Sequence, residues 1–123
     1  MMLYLITPDN KLLHYFRRAA QDNVQDNNSE IIQFRNEDNV FRKAKQNLSA
    51  VLFAQWTVSE IPAVIERITH RNTHLFEGRL FVYVPDLPKK TVNSGIEIRF
   101  ALLQAGITAV FGSMREIEMQ HFF

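Results

Sequence analysis

The chain has 123 residues, 46% hydrophobic and 22% charged, the size and composition of one globular domain rather than of a disordered chain. With 14 basic and 13 acidic residues the formal charge is +1, so no electrostatic footprint for DNA, RNA or an anionic membrane is expected. Cysteine is absent, which excludes disulfides, thiolate metal sites and cysteine nucleophiles.

In chain order, the first apolar run, 3–7, is nearly continuous and reads as a strand covered on both faces. The opening seven residues are too short for a signal peptide and lack a basic lead, and no stretch approaches the roughly 18 apolar residues of a membrane span. Cytoplasm is therefore the expected compartment, and the sequons at Asn27 and Asn47 are read as coincidental. Asp9 is placed to cap a helix with the stripe Leu12, Leu13, Phe16, Ala19 and Ala20. A polar, Asn-rich loop follows over 21–29, then the least apolar strand, 30–34, which suits a sheet edge.

Val40, Phe41, Ala44 and Leu48 mark a second helix, and 50–54 a third strand. Thr57-Val58-Ser59-Glu60 fits a capping box, with Pro62 tolerated in the first turn of a helix carrying Ile61, Val64, Ile65 and Ile68. Gly78 precedes a fourth strand over 80–84. A helix over 94–105 stops at Gly106, and 108–111 forms a fifth strand. Ser113-Met114-Arg115-Glu116 fits a second capping box and opens a short final helix ending in Phe122 and Phe123. Five strands alternating with helices predict a single α/β domain over 1–123. Right-handed crossovers make it a three-layer α/β/α, (βα)5, doubly wound parallel sheet of order 2-1-3-4-5.

The stretch from Phe100 through Ala105-Gly106-Ile107 to Phe111 resembles the passage from helix four to strand five in response-regulator receiver domains. The runs 3–7 and 49–54 resemble that family's first and third strands, and element order and spacing agree over essentially the whole chain. Receivers transfer a phosphoryl group to an aspartate ending strand three. Acids after strand one hold Mg²⁺, and a hydroxyl and a lysine ending strands four and five bind the phosphoryl group. The resemblance puts the nucleophile position on Ala54 or Gln55, the acids on Thr7 and Pro8, the hydroxyl near Val84 or Pro85, and the lysine on Ser113. None of these can do the required chemistry, so aspartyl phosphorylation is not expected.

A doubly wound sheet binds ligands at its strand carboxyl ends. That rim carries Pro8, Asp9, Gln55, Trp56, Pro85, Asp86 and Ser113. Trp56 either stacks on a flat ligand, with Asp9 and Asp86 nearby, or covers the top of the sheet. The segment Thr7-Pro8-Asp9-Asn10-Lys11 lacks the glycine of a flavin phosphate loop, and neither G-x-G-x-x-G nor a Walker loop is present, so no cofactor is expected. His70 and His74 have metal-compatible spacing but no evident third ligand, and His14 and His121 have no partner nearby in sequence. No serine has nucleophile-elbow context. No metal site and no enzymatic activity are expected.

The helix over 94–105 is more apolar than one buried stripe requires. On a helical wheel Ile98, Leu102 and Ala105, with Ala101 near them, form the sheet-facing stripe, whereas Ile96, Arg99, Phe100 and Leu103 face outward unless the 86–94 loop folds over them. An exposed apolar patch of this kind marks a contact surface. In receivers the face made by helix four, strand five and helix five carries dimerisation and docking, which adds Val110, Met119 and Phe122 here. The expected function is thus a non-catalytic pseudo-receiver acting by protein–protein contact, as a homodimer or docking module. The alternative is a small-ligand sensor around Trp56.

Overall fold

A computed structural model describes residues 2–8, 10–22, 29–34, 40, 43, 49–70, 78–89 and 93–120. The elements are β1 (Met2–Ile6), α1 (Asn10–Asp22), β2 (Glu30–Phe34), β3 (Val51–Gln55), α2 (Ile61–His70), β4 (Leu80–Tyr83), α3 (Asn93–Gln104), β5 (Ala109–Phe111) and α4 (Met114–Gln120). A 3₁₀ turn, Val58–Glu60, leads straight into α2. Of the helix expected after β2, Val40 and Lys43 are described. Both have helical backbone, and Val40 is fully buried; the expected helix's other residues lie outside the described set.

All strands run parallel in the order β2-β1-β3-β4-β5. This is the predicted doubly wound, flavodoxin-like architecture. The strands read as continuous apolar runs because both of their faces are covered. Tyr4, Ile6, Leu52, Ala54, Leu80 and Val82 point to one side, where Val64 and Ile68 of α2 and Leu102 of α3 meet them. Leu3, Leu5, Phe53 and Phe111 point to the other, against Leu12, Leu13 and Phe16 of α1 and Ile117 of α4. Phe53 anchors this second layer, edge-on to Phe16 at 4.9 Å and stacked on Phe111 at 5.9 Å. β2 pairs only with β1 and is half-exposed along its length, as its weaker apolar pattern predicts for an edge.

Local signals act where the sequence places them. The Glu60 carboxylate accepts the Thr57 N–H at 3.1 Å and the Thr57 hydroxyl at 2.8 Å, securing the entry to α2. α3 closes in a Schellman arrangement, with the Ile107 and Gly106 N–H groups donating to the Leu102 and Leu103 carbonyls, and Gly106 sits at φ +102°. At the second box Glu116 N–H donates to Ser113 Oγ at 3.3 Å, and the Glu116 carboxylate takes the Gly112 N–H. The Asp9 cap lies outside the described residues. No helix among the described residues is long and apolar enough to cross a membrane.

Candidate functional site

The strand-end rim is built by register. Ile6 pairs with Ala54 and Gln55 with Tyr83, so the residues that follow β1 and end β3 become neighbours. There the Thr7 hydroxyl donates to Gln55 Oε1 at 2.7 Å, and the Thr7 carbonyl accepts Gln33 Nε2 from β2 at 3.3 Å. Thr7 is 5% exposed. The result is a neutral hydroxyl–amide cluster over the switch point. Because the Thr7 hydroxyl hands its proton to an amide oxygen and not to a base, this contact does not activate it as a nucleophile.

Of the two nucleophile positions left open by the sequence, Ala54 is buried in the core and Gln55 reaches the rim. Val84 is fully buried, its N–H donating to the Phe111 carbonyl, whereas Pro8 and Pro85 are exposed. Ser113 caps α4. Thr7 and Gln55 are therefore the two of these positions that are brought together. Their contact spans 48 residues of sequence and has no local signature.

Trp56 requires a correction as a ligand-stacking residue. It is 4% exposed and packed among Ile6, Ile61 and Val84, so its ring is part of the core. The Trp56 backbone N–H donates to the Tyr83 carbonyl, prolonging the sheet ladder by one residue. Asp86 is exposed, and its Oδ1 accepts the Val58 N–H at 2.9 Å, tying the turn after β4 to the 3₁₀ turn after β3. Asp9, His74 and His121 lie outside the described residues, as does the His70 side chain. Among the described residues no three His, Asp or Glu side chains converge on a possible metal position.

The α3 surface carries the expected apolar patch. Ile96 is 52%, Phe100 59% and Leu103 49% exposed, and on α4 Met119 is 68% exposed. Leu102 is fully buried, with Ile98 packed beside it. Ala101, expected near that inward stripe, is exposed because it lies toward the stripe's edge. The loop after β4 does not cover the patch over its described part. It runs instead against the first turn of α3, where a Cβ at Gly95 would stand 2.5 Å from the Pro88 oxygen and 2.7 Å from the Lys89 oxygen.

Two residues assigned to this face behave differently. Arg99 is drawn inward: Nη1 donates to the Val110 carbonyl at 3.1 Å, Nη2 lies 3.4 Å from Glu116 Oε1, and the side chain is only 18% exposed. The carbonyl and the carboxylate replace part of the hydration that the guanidinium gives up on turning in, and Nε has no hydrogen-bond partner. Val110 is half-buried against the core under α3. Phe122 lies outside the described residues. Glu116 was absent from the sequence-based set, and its position in a capping box was the one available signal. No protein-family model matches the chain, and neither a curated protein nor a solved structure matches it.

Proposed function

We propose that the chain is a non-catalytic pseudo-receiver, a protein–protein interaction or dimerisation module of signalling or regulation that is not phosphorylated on aspartate and works in the cytoplasm. One observation carries the reading. Three large apolar side chains on α3, Ile96, Phe100 and Leu103, are about half exposed or more, while the neighbouring stripe of the same helix is already committed to the core. Burying them would contribute about 1 kcal/mol or more apiece before association costs. The Arg99–Glu116 pair supports the reading further, because it links α3 to α4, the two helices that carry the exposed apolar side chains. An isologous homodimer is the simplest occupant, since one apolar patch then covers its own copy.

The receiver-like part of the proposal rests on the parallel order of the sheet and on the Thr7–Gln55 cluster standing where a receiver holds its carboxylates. The double variant Phe100→Glu with Leu103→Glu tests the interaction face. Its circular dichroism should match wild type while sedimentation velocity shows association lost. A wild type that stays monomeric at high concentration and captures no partner would remove the proposal.

A further inference from the structure

A second surface lies across the sheet from α3. Leu12, Leu13 and Phe16 bury one side of α1. Lys11, His14, Tyr15, Arg17, Arg18 and Gln21, all on α1, line an open cleft of about 580 Å³ along its other side, and among the described residues its lining includes no carboxylate. At about 100° per residue, Lys11, His14, Arg18 and Gln21 share a sector of about 80°, running about 15 Å along the helix. The first turn of α1 has no acidic residue and carries Lys11, against the macrodipole. Arg17 and Arg18 are both exposed and hold no ion pair among the described residues. Burial, helped by the Glu118 carboxylate, raises the Tyr15 phenol above its ordinary 10.0, so it brings no negative charge to the cleft.

We infer that the α1 cleft docks an acidic segment of a partner protein. A stripe of about 15 Å matches four or five residues of extended peptide at about 3.3 Å each. Arginine pairs bidentately with carboxylates. With a net charge of +1, the chain has little long-range pull on a dense polyanion, which favours a short acidic peptide over a nucleic acid. This inference is independent of the α3 surface.

The test is fluorescence anisotropy of a labelled hexaglutamate peptide titrated with the whole chain, beside a labelled single-stranded hexanucleotide. Saturable peptide binding is expected, weakened at least about tenfold by Arg17→Glu with Arg18→Glu and by raising salt from about 50 to about 500 mM. The milder pair Arg17→Gln with Arg18→Gln, which keeps good helix formers, should fall between. Phe100→Glu with Leu103→Glu should leave the binding unchanged. The inference is overturned if hexaglutamate does not bind saturably, if charge reversal leaves its affinity intact, or if the oligonucleotide binds more tightly. Loss of self-association in the charge-reversed chain would assign the cleft to a second copy and overturn it equally.

Discussion

Arg99 on α3 and Glu116 on α4 meet at the margin of the sheet, Nη2 lying 3.4 Å from Oε1. The same carboxylate takes the Gly112 N–H through its other oxygen, and a Cβ at Gly112 would sit 2.8 Å from the guanidinium. Two helices that pack on opposite faces of the sheet are thereby joined through side chains. The pair is 18% and 25% exposed, so solvent weakens it relative to a buried bridge, and Arg99→Ala should cost about 1–2 kcal/mol. Glu116→Gln keeps an acceptor for Gly112 and should cost less than Glu116→Ala. Thermal melts should rank wild type, Glu116→Gln and Glu116→Ala in falling order; coincident curves would contradict the bracket.

Thr7→Val removes the hydroxyl that Gln55 Oε1 accepts from, in a position 5% exposed. An acceptor left unsatisfied there should cost about 1–2 kcal/mol, with Thr7→Ser recovering most of it. Urea denaturation midpoints measure the difference. An unchanged midpoint in Thr7→Val would mean that water replaces the bond.

The rim positions Thr7, Pro8, Ala54, Gln55, Val84 and Ser113 offer neither a carboxylate nor an amine. Incubation with Mg²⁺ and a small phosphodonor should leave the intact mass unchanged. A phosphoryl adduct labile to hydroxylamine would refute the pseudo-receiver reading.

Gly95 and Gly106 should fail for different reasons when replaced by alanine. At Gly95 the new methyl meets backbone oxygens of residues 88 and 89, and the loop must move, at about 1–3 kcal/mol. At Gly106 nothing lies within 4 Å, and the left-handed φ alone costs about 1 kcal/mol. The larger loss of melting temperature is expected at Gly95.

Burial first, and the Glu118 carboxylate second, raise the Tyr15 phenol in the folded chain. Between the unfolded value near 10 and the higher folded one, the folded state holds more protons, so its stability falls as pH rises through that window. Tyr15→Phe should flatten the decline between about pH 9 and pH 11 in denaturant titrations at matched salt. Parallel slopes in the two proteins would exclude Tyr15 as the source.

Fold and rim were not equally legible. Alternating elements and one handedness rule led to the doubly wound parallel sheet, because two-sided burial writes itself as unbroken apolar runs such as that of residues 50–54. The outward Ile96, Phe100 and Leu103 were legible from helical angle alone. Arg99 was not, because its place on the flank between two stripes leaves its direction to partners 11 and 17 residues away. Trp56 was undecided for a similar reason: a ring at a strand end is core or rim according to what packs beside it, and Ile61 and Val84 do so here. The Thr7–Gln55 and Val58–Asp86 bonds join residues 48 and 28 apart and depend on parallel register, which no local pattern encodes.

β5 is three residues long, and its Val110 carbonyl is already taken by a side chain of the same molecule. At the far margin, β2 presents exposed Glu30, Ile32 and Gln33. An incoming strand finds little to zip onto at the β5 margin, so domain exchange through that boundary is discouraged. On the proposed helix face, by contrast, one or two substitutions can change allegiance without disturbing the sheet beneath.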